Sequence, residues 1–186
     1  MTKALEPNGE IMLIQEIKKL QLQKELVSIR RGCSDEDQTG IFEFINNEVA
    51  IFSLYTDEGD FDGYTFFYVS QIDEIMWGNR EHRSIAMLID NSSKPKLLLG
   101  ADSFLSLLKE AAAKYDSLCI YNTSQEEGFD IAKMAGVSDD WLKILTYGPK
   151  KTLSQLYKLI GVESVIRVTV DSPYQNNIVR LHGSQL

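Results

Sequence analysis

The feature that most constrains this chain is a succession of elements that occurs twice: a helical stretch, then five short β-rich runs. Residues 11–25 are rich in Leu, Ile, Lys, Gln and Glu, with Leu13, Ile17 and Leu20 at the spacing of one helical face and Asn8 placed to cap it. The runs 26–31, 39–45, 48–55, 64–69 and 73–77 then carry the branched and aromatic residues of strands. Asn46-Asn47 provides the shortest connection, and the acidic, glycine-containing segment 57–63 provides a longer one. Strands this short and this closely joined predict a small barrel. A sixth apolar run, 84–89, is expected to pair at an edge.

The polar break 91–95, with Ser92, Ser93 and Pro95, sets an expected boundary between units 1–92 and 93–186. Beyond it Asp102 or Ser103 can cap a second helix reaching Tyr115, with Phe104, Leu108, Ala111 and Tyr115 at helical spacing. Strand-like runs follow at 118–122, 129–137, 140–146, 152–159 and 163–170, with a last apolar stretch at 177–182. An offset of 92 residues places Leu26 on Leu118, Phe42 on Met134, Ile45 on Val137, Val49 on Trp141 and Phe52 on Ile144. A connection shorter by two then changes the offset to 90, placing Phe66 on Leu156, Phe67 on Tyr157 and Ile72 on Val162. Self-similarity of this kind predicts a tandem duplication.

A helix followed by five short strands, with a tight turn before the last, resembles the Sm-like small β-barrel, a relative of SH3-like barrels. The resemblance implies a mainly β fold with accessory helices, two tandem helix-plus-five-stranded barrels. In that family an Asp-x-Met-Asn type signature and an Arg-Gly turn hold single-stranded RNA bases. Here the corresponding segments read Ile45-Asn46-Asn47-Glu48 and Val69-Ser70-Gln71-Ile72, then Val137-Ser138-Asp139-Asp140 and Leu159-Ile160-Gly161-Val162, so neither signature is present. The resemblance concerns architecture more than activity.

Composition bears on partners. A net charge of −8 and a pI near 4.8 give a field that repels nucleic acid and anionic lipid. Local cations run against it: Arg30-Arg31 at a strand end, Arg80 and Arg83 beside Trp77, and Lys150-Lys151. Stacking on Trp77, Tyr64 or Phe61 would accompany phosphate contacts in an RNA-binding reading. Trp77, Arg80, Arg83, Arg30 and Arg31 are therefore the candidate partner or nucleic-acid residues, with loop 57–63 as an opposing acidic surface.

Motifs for chemistry are lacking. The loop beginning at Glu58 has Val69 where a calcium loop needs its closing bidentate Glu. Cys33 and Cys119 have no His at catalytic or metal spacing, His82 and His182 being the two histidines, and two thiols make no disulfide framework. Gly128 and Gly136 are isolated and make no phosphate loop. No catalytic residue, metal or cofactor is assigned. Neither a signal-peptide pattern at residues 1–10 nor an apolar run near the ~18 residues of a membrane span appears. The expectation is a cytoplasmic, non-enzymatic binding or scaffolding protein that uses strand edges and loops, recruits protein partners or its own copies, and avoids membrane and DNA. Single-stranded RNA binding is the alternative, and an unrecognised hydrolase is third.

Overall fold

The computed structural model describes residues 7–32, 37–123, 128–147 and 155–183. The first helix, α1 (Pro7–Gln23), begins at a proline, whose missing N–H costs nothing in a first turn, so Asn8 lies inside the helix and not at its cap. Its end is set by Lys24, held in the left-handed region at φ 51, while the Glu25 N–H returns to the Leu20 carbonyl. Ile14, Ile17 and Leu20 bury one face of α1 against the sheet.

Ten antiparallel strands follow: β1 (Val27–Arg31), β2 (Gln38–Ile45), β3 (Val49–Tyr55), β4 (Phe61–Tyr68), β5 (Ile72–Trp77), β6 (Leu118–Asn122), β7 (Asp130–Val137), β8 (Trp141–Thr146), β9 (Tyr157–Gly161) and β10 (Val165–Val170). They form one sheet in the order β5-β1-β2-β3-β4-β10-β6-β7-β8-β9. The fold is mainly β with accessory helices, as the pattern predicts. The two separate closed barrels are replaced by a single continuous sheet that stays open, with β5 and β9 as its ends.

The interior junction of that sheet is β4 against β10, with Arg167 opposite Phe67, Val168 opposite Phe66, Thr169 opposite Thr65 and Val170 opposite Tyr64. At Gly40 of β2 a Cβ would collide with the Ser53 carbonyl oxygen and the Phe52 ring. Only the absence of a side chain lets β2 and β3 come together there.

Hydrogen bonds recur along the two halves. Asn46 N–H donates to the Val49 carbonyl and Ser138 N–H to the Trp141 carbonyl, an offset of 92. Val69 N–H donates to the Glu48 carbonyl and Val162 N–H to the Asp140 carbonyl. Bulges interrupt β2–β3 between Phe42 and Phe44, and β7–β8 between Met134 and Gly136. Single 3₁₀ turns over Val69–Gln71 and Val162–Ser164 follow residues of nearly equal conformation, Tyr68 (φ −73, ψ 133) and Gly161 (φ −63, ψ 133). The offset at these turns is therefore 93, and the connection between β8 and β9 is one residue longer, where the sequence pattern suggests two shorter.

Two apolar runs expected in β structure are helical. Residues 84–89 fall largely within α2 (Arg80–Leu88), whose first turn is capped by Asn79 Oδ1 accepting from the His82 N–H at 2.7 Å. Its buried residues, His82 and Ile85, lie one helical turn apart, a spacing that short apolar runs conceal. The stretch 177–182 lies in α4 (Pro173–Gly183), which opens on a proline and buries Ile178. The second predicted helix is α3 (Phe104–Lys114), capped by Ser103. Residues 152–154 of the run 152–159 are outside the described residues, and β9 begins at Tyr157. No described helix is long and apolar enough to cross a membrane.

Two large core clusters divide the sheet. One gathers Ile14, Ile17 and Leu20 of α1 with Val27, Ile29, Phe52, Phe67 and their neighbours. The other joins α3 to β6–β10 and also includes Val49, Ile51, Tyr64 and Phe66 from the first half of the chain.

Candidate binding edges

The predicted basic patch divides on folding. Trp77 ends β5 and is 45 % exposed; Gly78, at φ 76, turns the chain so that Asn79 caps α2, and Arg80 and Arg83 remain on its surface. Arg30 donates to both carboxylate oxygens of Asp37, at 2.8 and 3.0 Å, and to Glu74 at 2.8 Å. Its guanidinium pKa is raised, chiefly by the hydrogen bond to Asp37 and then by the charges of Asp37 and Glu74. Arg31 is drawn inward: it is 1 % exposed, lies 4.9 Å above the Phe67 ring and donates to Gln71 Oε1 at 3.1 Å. Thus Trp77, Arg80 and Arg83 form one exposed neighbourhood, which Arg31 does not join.

Residues that sequence reasoning singled out for chemistry have structural partners. Burial raises the Cys119 thiol to about 12, with Arg167 pulling it partly back, so it is no thiolate nucleophile at neutral pH. His82 is buried and hydrogen-bonded through Nε2 to Ser28 Oγ at 2.9 Å. In the acidic loop, Thr56 Oγ1 accepts from the Glu58 and Asp60 N–H groups, and Gly59 adopts φ 82. Among the described residues no three His, Cys, Asp or Glu side chains converge to hold a metal ion. Cys33 lies outside the described residues.

The two ends of the sheet were not legible as sites. At one end a groove of about 580 Å³ runs between α1 and β5, lined by Met12, Leu13, Glu16, Ile75 and Trp77 among others. At the other, β9 exposes Tyr157 (65 %) and Leu159 (68 %), with Trp141 of β8 beside them (54 %). The alternation Tyr157, Lys158, Leu159 was a signal of a one-sided strand, but nothing in sequence says which face lacks a cover. A further cavity of about 480 Å³ lies beside the β4–β10 junction, where Arg167 sits 3.7 Å above Tyr121 and Tyr121, Phe129 and Tyr174 form an aromatic row. Burial raises the pKa of Asp62 on its wall, against the opposing hydrogen bond from Ser172.

No family model and no curated protein matches the chain. Among solved structures, K. pneumonia MrkH in its apo state aligns over 95 % of this chain and 93 % of that one at 10 % identity, with a TM-score of 0.20. A second MrkH structure, from a P2(1) crystal, aligns over 99 % and 95 % at 12 % identity, with a TM-score of 0.18. Nothing about this chain's fold or function follows from likenesses this weak.

Proposed function

We propose that this is a cytoplasmic, non-enzymatic binding or scaffolding protein that acts through the edges and loops of two tandem Sm-like units, residues 1–92 and 93–186. The observation that carries the reading is the pair of end strands, each paired on one side only among the described residues, that bear exposed apolar side chains: Trp77 at β5, and Tyr157 and Leu159 at β9. Unpaired backbone groups on an edge strand recruit another strand, and adjacent apolar side chains supply the area that makes such pairing stable. The unit structure is supported by strand order. Within the sheet β5-β1-β2-β3-β4 is followed by β10-β6-β7-β8-β9, the same succession 5-1-2-3-4 in each half.

RNA binding has less support than its architectural resemblance suggests, because Arg30 is paired with two carboxylates and Arg31 is buried. Quantitative affinity capture from the source cells separates the two readings. Edge variants Trp77→Glu and Leu159→Lys should each lose bound protein while Arg80→Ala with Arg83→Ala should not. Capture unchanged by the edge changes but abolished by the arginine changes, with nucleic acid in the wild-type eluate, would sink the edge reading.

A further inference from the structure

The cavity of about 480 Å³ beside the β4–β10 junction is built by both halves of the chain. Val168 and Val170 of β10, and Leu118 and Ile120 of β6, are buried in the core shared with α3. Strand residues alternate between faces, so Arg167, Thr169, Cys119 and Tyr121 turn to the opposite side, where they form the cavity floor. From the second half, Ser172, Tyr174 and Phe129 add to its walls; from the first, Gln38 of β2, Leu54 of β3 and Asp62 of β4 do so. Its size is that of a pocket for a small organic molecule.

Two of these side chains carry polar atoms that the fold leaves unused. Gln38 is 8 % and Thr169 3 % exposed, and neither Gln38 Oε1 nor Thr169 Oγ1 has a hydrogen-bond partner among the described residues. Thr65, opposite Thr169 in the β4–β10 pairing, shows that a hydroxyl at this junction can be satisfied, since it donates to the Val168 carbonyl at 3.2 Å. Buried polar groups without partners cost stability, and nearly all in folded proteins are satisfied. Valine at 169 and leucine at 38 would fill nearly the same volume without that cost, so the polar atoms have their use in what the cavity receives.

The remaining lining narrows the occupant. The rings of Tyr121 and Phe129 have centres 4.7 Å apart and those of Phe129 and Tyr174 6.1 Å, a row that offers apolar surface to a planar ring. Charges in the lining balance: Arg30 holds Asp37 through both carboxylate oxygens, and Arg167 stands against Asp62, which accepts from Ser172 at 3.4 Å. An ionic ligand would give up its hydration for no excess of counter-charge.

We infer that this cavity binds an uncharged, planar nitrogen heterocycle of one or two rings, with a ring N–H donating to Gln38 Oε1, a ring acceptor taking the Thr169 hydroxyl, and its faces against the aromatic row. The site is separate from the two end strands, so it goes beyond the edge-binding reading and does not depend on it. Gln38 comes from one half and Thr169, Tyr121 and Tyr174 from the other, so the bound ring ties the halves together and stabilises the fold.

Chemical-shift titration of the isotope-labelled full chain with benzimidazole, quinazolinone and adenine tests this. At least one is expected to bind with a Kd of about 1 mM or tighter. It should shift the amide signals of Thr169, Cys119 and Asp62 rather than those of Trp77 and Leu159, and raise the melting temperature as its concentration passes Kd. Benzimidazole carrying a carboxylate or an aminomethyl group is expected to bind at least about tenfold more weakly. Thr169→Val and Gln38→Leu should each melt at or above the wild-type temperature while losing about fivefold in affinity, a combination that a merely structural side chain would not give. Binding by none of the three probes at about 5 mM overturns the inference, as does tighter binding of the charged forms. Unchanged affinity in both variants, or a lower melting temperature for Thr169→Val, overturns it as well.

Discussion

Glu48, in the turn between β2 and β3, accepts a hydrogen bond from the Phe104 N–H at 2.9 Å, so a carboxylate from the first half closes the first turn of α3. Asn46 of the same turn donates through Nδ2 to the Asp102 carbonyl at 2.6 Å. One tight turn thereby fixes both the register of a hairpin and the start of the next unit's helix.

Replacing Glu48 with Ala is expected to cost about 1 kcal/mol, the usual worth of a helix-capping acceptor with a favourable charge. Glu48→Gln keeps an acceptor and loses the charge, and should fall between the two. Urea unfolding midpoints measure both, and an unperturbed midpoint for Glu48→Ala would show that the contact stabilises nothing.

Gly40→Ala should destabilise by at least about 3 kcal/mol or prevent folding, because the added carbon meets the Ser53 carbonyl in a strand pair that cannot part without loss of its ladder. Gly100→Ala, where a Cβ meets open space, should stay within about 0.5 kcal/mol. Thermal unfolding of the two variants side by side decides the matter.

Arginine substitutions separate a core cation from surface ones. Arg31→Ala removes a buried side chain packed over Phe67 and should cost about 3 kcal/mol or more. Arg80→Ala with Arg83→Ala should leave the melting temperature nearly unchanged, since both side chains are exposed. Equal effects from the two replacements would contradict this arrangement.

Stability should fall at alkaline pH. Burial raises Cys119 from 9.0 to about 12 and Tyr121 from 10.0 to about 12, and Arg167 offsets part of each. The unfolded chain releases these protons from about pH 9 upward while the fold retains them, so the stability present below pH 9 is lost as pH rises toward 12. The urea midpoint should decline over that interval. A Cys119→Ala variant should show a shallower decline.

Much of this fold was legible in residue pattern. The succession of helix and five runs located nine of ten strands within a few residues, and Ser103 was a readable cap. Runs 84–89 and 177–182 were misleading because four to six apolar residues suit a strand as well as one face of a helix, and the deciding signals, Asn79 and Pro173, lie upstream. The placement of Arg31 was illegible for another reason: adjacent residues on a strand point to opposite faces, and sequence does not say which of Arg30 and Arg31 faces in. Trp77, Arg80 and Arg83, candidates for partner contact in the sequence, lie exposed at the end of β5 and on α2. Leu13, Glu16 and Leu159 were not among the candidates, because their exposure depends on which strands end the sheet.

The β4–β10 junction also orders events in time. Phe67 and Arg167, opposite each other there, are 100 residues apart in the chain. At ribosomal speeds that separation is on the order of 5–20 s of synthesis. Throughout that interval the emerged β4 lacks its β10 partner strand. Nascent chains on one message present this same strip in close succession, so the risk of misassociation at β4 lasts until β10 emerges to pair with it.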